Sequence, residues 1–194
     1  MNIVPLLVFA FVLGSIPFGV IIAKAKGVDL KKVGSRNIGA TNVLRSLGRL
    51  PAALTLLGDM LKGTIAVAIG RYFGVGFFYE GLIGLSAVIG HNFSIFLKLR
   101  GGKGVSTSIG VLILYSPKAA LFTLIIWLLV VLATRYSSLG ALVSFGLLPL
   151  SMTLLDSKEK LPVALLMTAF VIIRHSGNIQ GLLKGTERKI GKRE

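Results

Sequence analysis

The sequence predicts an all-α fold: a polytopic membrane bundle of about seven transmembrane helices that makes a single domain of residues 1–194. Hydrophobic residues are 54% of the 194-residue chain and charged residues only 15%, with a mean hydropathy of +0.83, too apolar for a water-exposed domain of this size. The apolar residues gather into seven runs, at about 4–23, 51–73, 78–97, 105–115, 118–134, 137–155 and 161–174. Most of these approach the roughly 20 helical residues that cross a bilayer core. The net charge of +15 sits in the gaps between runs rather than along one exposed face, so nucleic acid is not an expected partner.

The first run has no basic segment before it and no evident cleavage site, and is read as a retained span rather than a signal peptide. Its Gly14, Ser15 and Gly19, like Gly81, Gly84, Ser86 and Gly90 in the third run, suit close helix packing. The second run carries Asp59 and Lys62, three residues apart on one helical face. Charges in an apolar bundle are costly unless paired, so they are expected to neutralise each other in the interior; a functional role is the alternative. His91, near the end of the third run, reads as structural. Run 105–115 is short, and a short crossing, a half-helix and a re-entrant segment all fit it.

Lys and Arg orient the bundle, since they are retained on the cytoplasmic side of short loops. Seventeen fall in 24–49, 98–103, Arg135 and 174–194, against four in the alternate gaps. This places the N-terminus outside and the C-terminus in the cytoplasm, and puts the three most polar stretches on the cytoplasmic face. The chain has no cysteine, which excludes disulfides, thiolate metal sites and a thioester-forming nucleophile.

In the first polar stretch, 33–45, Ser35, Asn37, Thr41 and Asn42 offer neutral hydrogen-bond groups and Arg36 and Arg45 offer guanidinium forks suited to phosphate. Gly34 and Gly39 let backbone N–H groups approach a ligand; a basic turn at lipid headgroups is the other reading. In the second stretch, Gly101, Gly102, Lys103 and Gly104 read as an amide nest for phosphate with Lys103 as point charge, and Val105-Ser106-Thr107 as the start of a helix whose positive end adds to the field. It is not a Walker A loop, because Lys103 is followed by Gly104 and the upstream glycine spacing fails. In the third stretch His175 can serve as general base or as donor to an oxyanion, while Asn178 and Glu187 can hold a substrate hydroxyl; an interfacial structural histidine is the alternative. No metal-ligand cluster, Ser-His-Asp set or His-x4-Asp box is visible, since Phe96 follows His91 by five and Gln180 follows His175 by five.

Together the three stretches carry a resemblance. Gly14-Ser-Ile-Pro-Phe-Gly19 with Gly34-Ser-Arg-Asn-Ile-Gly-Ala-Thr-Asn42, Gly90-His-Asn92 through Gly101-Gly-Lys-Gly104, and Arg174-His175 through Asn178 with Glu187-Arg-Lys189 occur in order. The chain resembles the bacterial membrane-integral glycerol-3-phosphate acyltransferases that use acyl phosphate as donor. The resemblance implies transfer of a fatty acyl group from acyl phosphate to the 1-position of sn-glycerol 3-phosphate in the inner membrane, giving lysophosphatidic acid and phosphate, a step of phospholipid biosynthesis. It implies no cofactor, and as partner a peripheral enzyme that makes acyl phosphate from acyl carrier protein. It matches Ser35, Arg36, Arg45, Lys103, His175 and Asn178 to motif residues concerned with substrate or catalysis. Arg36, Arg45, Lys103 and the Gly101–Gly104 amides are accordingly expected to hold phosphates, and Ser35, His175 and Asn178 to orient the acceptor. Direct transfer is expected, because no partner in sequence activates Ser35. A transporter of small phosphorylated anions is the rival, but its binding groups would lie near the midplane rather than crowd one face.

Overall fold

The computed structural model describes residues 2–191, and within them every regular element is helical. Lys192 and Arg193, counted above in the basic tail, lie outside the described residues.

Proline sets the first break. It has no N–H and disfavours helix in the residue before it, so Ile16 is extended with ψ 117° and the first apolar run divides into α1 (Val4–Ser15) and α2 (Phe18–Lys24). Next comes α3 (Ala40–Leu47), inside the polar stretch that the sequence reading treated as loop. Its apolar side, Val43, Leu44 and Leu47, joins Ala23, Leu30 and Ala52 in a small core, while Thr41 and Arg45 line a cavity. The remaining apolar runs become α4 (Arg49–Tyr72), α5 (Phe77–Asn92), α6 (Val105–Tyr115) and α7 (Pro117–Thr134). Beyond these, α8 (Ser137–Gly146) and α9 (Leu148–Leu155) meet at 43°, with Pro149 in the first turn of the second. Finally α10 (Leu161–Arg174) and α11 (Ser176–Leu183) meet at 58°.

Among the described residues, four segments are long and apolar enough to cross a membrane: 4–24, α4, 77–97 and α7. Counting each bent pair as one span raises this to six. The seven runs therefore correspond to four to six spans by length, with α6, at 11 residues, shorter than a crossing. Most of α6 is buried among the other helices, as a short apolar segment must be if its ends are not to meet lipid. Exposed large apolar side chains instead line α1, α4, α7 and α10, among them Val8, Leu57, Leu128 and Leu165, as a lipid-facing belt requires.

Close approach between helices depends on missing side chains. A Cβ on Gly110 would lie 1.9 Å from the Met60 carbonyl oxygen, and one on Gly14 would lie 2.0 Å from that of Ala87. Both distances are far inside contact, and both neighbours are backbone that cannot rotate aside. By contrast a Cβ on Gly146 would meet nothing within 4 Å. Gly110→Val should separate α4 from α6 and cost at least about 1–3 kcal/mol, seen as a lower Tm in detergent, while Gly146→Ala leaves the Tm nearly unchanged.

Candidate active site

A cavity of about 760 Å³ opens where the three polar stretches meet. Twelve of the fourteen residues singled out in the sequence line it: Ser35, Arg36, Asn37, Thr41, Asn42 and Arg45 from the first stretch, Lys103, Gly104 and Ser106 from the second, and His175, Asn178 and Glu187 from the third. Gly101 and Gly102 do not.

The first wall is built around Asn42, in the opening turn of α3 and almost fully buried. Its Oδ1 accepts from the Ser35 N–H at 2.8 Å, and its Nδ2 donates to the carbonyls of Asn37 at 2.8 Å and Val33 at 3.2 Å. The amide of Asn42, one of the residues expected to bind substrate, is engaged in holding the loop. The hydrogen bonds force a tight path on which Arg36 takes φ +58°, a left-handed conformation that costs a non-glycine residue about 1 kcal/mol or more. That cost places an exposed guanidinium at the mouth. Arg45, one helical turn beyond Thr41, donates from Nη2 to the Arg188 carbonyl at 2.9 Å. Thr41 Oγ1 lies 3.2 Å from Ser137 Oγ at the start of α8.

The second wall departs from the expected amide nest. The Gly101 N–H donates to the Asn92 carbonyl at 3.1 Å and the Gly102 N–H to that of His91 at 3.0 Å, so neither is left for a phosphate. Their carbonyls in turn accept from Arg174, at 3.2 Å for Gly101 and 2.9 Å for Gly102. Glycine is needed here for packing, since a Cβ on Gly102 would fall 2.1 Å from His91 Nε2. The turn is thus pinned on both sides, and the residue it presents is Lys103.

Beneath this turn lies a buried ionic cluster. Lys62 Nζ is 2.8 Å from Asp59 Oδ1, meets His91 Nδ1 at 2.8 Å and donates to the Ile16 carbonyl at 3.0 Å. An ammonium has three N–H donors and no acceptor, so His91 Nδ1 must accept, which leaves the imidazole proton on Nε2. The Asp59–Lys62 pair was anticipated; His91 as its third member was not. Asp59 and His91 also line the cavity.

The third wall completes a polar chain. Lys103 Nζ donates to Asn178 Oδ1, Asn178 Nδ2 donates to Glu187 Oε1 at 2.8 Å, and Ser138 Oγ donates to the same oxygen at 2.6 Å. Burial pushes the Lys103 ammonium down to about 8; Glu187 opposes that shift, while Arg45 and Arg174 add to it. His175, at the junction of α10 and α11, places Nδ1 2.7 Å from the Val171 carbonyl. A carbonyl can only accept, so Nδ1 carries the proton and Nε2 keeps its lone pair.

The sequence reading missed the apolar walls and the opening of α8. Ala52, Leu56 and Met60 of α4, Leu124 and Trp127 of α7, and Phe145 of α8 enclose the inner cavity. Ser137 and Ser138 also line it, although their turn had been noted only for Arg135. Two adjacent hydroxyls close to Arg135 were the available signal.

A family model described as glycerol-3-phosphate acyltransferase matches residues 4–185. The chain belongs to the glycerol-3-phosphate acyltransferase family. A family member from Thermus thermophilus, named glycerol-3-phosphate acyltransferase, is 45% identical over 188 residues, covering 96% of this chain and 94% of that one. Another, from Rhizobium meliloti, is 48% identical over 189 residues, covering 96% and 92%. Two crystal structures of PlsY (YgiH), an integral membrane glycerol 3-phosphate acyltransferase, superpose with TM-scores of 0.92 in the glycerol 3-phosphate form and 0.90 in the lysophosphatidic acid form. Their sequence identities are 40% and 39%, each alignment covering 98% of this chain and 96% of the PlsY chain. Family membership carries with it a place in phospholipid biosynthesis and an integral membrane setting.

The ionic cluster in this acyltransferase fold can be tested without an assay of activity. Lys62→Met alone removes the ammonium from the buried Asp59 carboxylate, leaving only His91 beside it, and should cost about 3–5 kcal/mol, whereas the double change Asp59→Leu with Lys62→Met should recover much of that loss. Thermal unfolding of both variants in detergent reads the difference.

Proposed function

We propose that the protein transfers a fatty acyl group from acyl phosphate to the 1-position hydroxyl of sn-glycerol 3-phosphate, releasing lysophosphatidic acid and inorganic phosphate. The observation that carries this reading is the single cavity in which Arg36, Arg45, Lys103 and His175, drawn from three distant stretches, share one end while the inner walls are apolar. Two phosphates and an acyl chain need that division of polarity. PlsY has a glycerol 3-phosphate form, which supports that acceptor, and the motif resemblance supports acyl phosphate as donor.

In the proposed step Arg36, Arg45 and Lys103 offset the charge of the two phosphates, and Ser35 and Asn178 orient the acceptor. The acceptor hydroxyl oxygen attacks the acyl carbonyl carbon and forms the ester bond. The bond from that carbon to the phosphate oxygen breaks, and phosphate leaves with the electron pair. The hydroxyl proton passes to the Nε2 lone pair of His175 or to a phosphate oxygen of the substrate. An acyl phosphate is an activated anhydride, so alignment and charge screening suffice and the acyl group does not rest on Ser35. The cavity mouth faces the cytoplasm in this reading, with seven crossings counting α6, the N-terminus outside and the C-terminus inside the bacterial inner membrane, supported by the seventeen-to-four bias of Lys and Arg. Acyl phosphate arrives from a peripheral enzyme acting on acyl carrier protein.

Purified protein given glycerol 3-phosphate with palmitoyl phosphate should form lysophosphatidic acid, and with palmitoyl-CoA should not; product from the thioester alone would sink the assignment of donor. Arg36→Ala and Lys103→Ala should each lose about 30- to 1000-fold in kcat/KM, or about 2–4 kcal/mol, while Lys118→Ala, far from the cavity, should change it little.

The position of Lys103 sets a pH signature. Its ammonium is present below about 8 and lost as pH rises through that value. Because kcat/KM reports the free enzyme, it should fall above about pH 8 in the wild type. Lys103→Arg keeps its charge throughout and should lack that limb, whatever its absolute rate.

A further inference from the structure

Behind the catalytic cavity is a second one, of about 400 Å³, lined by Lys31, Arg36, Arg100 and Arg174 together with Ile38, Leu99 and Gly101. Four of the seven lining residues are cationic and none is acidic, a set that is unfavourable when the cavity is empty and is relieved by an anion. The two cavities share Arg36 as a lining residue.

The rim states which phase the anion comes from. Ile95, Phe96 and Leu99, in the segment just after α5, expose large apolar side chains, with Phe96 58% and Leu99 57% accessible. Ile95 and Phe96 close the apolar segment 77–97 and Leu99 lies just beyond it, at the depth where acyl chains give way to headgroups. Lys98 and Leu99 hold φ values of +54° and +62°, so the turn that carries Leu99 and Arg100 keeps a conformation neither residue favours. Its outcome is an apolar residue at the surface beside a cationic one lining the cavity. The depth of the cavity is fixed by Arg174, whose guanidinium donates to the carbonyls of Gly101 and Gly102 and lies 5.3 Å from the Phe93 ring centroid. Lys31 and Arg100, by contrast, are exposed and able to move toward a ligand.

We propose that this second cavity binds the phosphate group of an anionic membrane phospholipid, with Lys31, Arg36 and Arg100 as its charge partners and the acyl chains lying along Ile95, Phe96 and Leu99. It shares Arg36 with the acyl-transfer centre but is otherwise lined by different residues, and it does not depend on that reaction. Free phosphate presents the same chemistry without the chains.

The test is the retention of dioleoyl phosphatidate against dioleoyl phosphatidylcholine by full-length protein in nanodiscs of graded composition, read by native mass spectrometry. Wild-type protein should hold phosphatidate in preference, and the double variant Lys31→Gln with Arg100→Gln should hold it about thirtyfold more weakly. Both residues face solvent, so the variant should keep its fold and its Tm. Lys103→Ala, which alters the catalytic cavity alone, should retain the lipid as wild type does. Displacement by excess inorganic phosphate identifies the phosphate group by itself as sufficient, and resistance to it identifies the lipid; both outcomes support the site. Equal retention of the two lipids overturns the proposal, as does retention that survives the double variant or vanishes in Lys103→Ala. Because retention is read without turnover, failure of the acyltransferase assay would leave this result standing.

Discussion

A charge buried in an apolar helix bundle must meet its counter-charge, and much of this structure is arranged by that demand at Lys62. The ammonium offers three donors, and Asp59, His91 and the Ile16 carbonyl take them. These acceptors belong to α4, α5 and the proline break between α1 and α2, so a single side chain locks three segments together. His91 then carries the constraint upward, because its ring occupies the space that any side chain on Gly102 would need and its carbonyl receives the Gly102 N–H. Arg174 closes the same turn from the other side. Lys103 is therefore aimed by charges buried well below it, and its own flexible stem has little to decide.

Much of the fold was readable because bilayer length and proline chemistry act locally. The helices begin and end within a few residues of the apolar runs, and the breaks at Pro17 and Pro149 fall where a missing N–H requires them. The short helices α3 and α11 were hidden because each is only eight residues long and sits in a stretch dominated by glycine and polar groups. The helicity of α3 comes from packing, through Val43 in a core with Leu30 and Ala52, rather than from intrinsic propensity. The span count stayed ambiguous for a related reason: length alone does not tell whether α6 is sheltered by protein.

The site was legible in composition and illegible in direction. Arg36, Arg45, Lys103 and His175 could be singled out because cationic and imidazole groups in glycine-broken polar stretches suit a phosphate and a proton transfer. Which atoms remained free could not be chosen. Asn42 and the Gly101 and Gly102 amides have the right chemistry for phosphate, yet each is consumed in backbone contacts that form only after distant segments meet. The apolar walls were invisible for the opposite reason, since Leu56, Leu124 and Trp127 look like any other lipid-facing residues until α4, α7 and α8 are assembled.

The inner walls formed by α4, α7 and α8 bear on how such a protein meters its supply. Most of α7 is turned outward from the bundle, with Leu121, Leu128 and Leu132 exposed, while Leu124 and Trp127 of the same helix reach the cavity. An amphiphile sequestered in the surrounding lipid meets that cavity by lateral diffusion, so its effective abundance is a mole fraction within a two-dimensional phase. Diluting the bilayer with inert lipid should slow its capture at constant bulk concentration, whereas a water-soluble co-substrate would be insensitive to that dilution. One cavity thus answers to two separate concentration scales, one set by the area of the membrane and the other by the volume of the surrounding water.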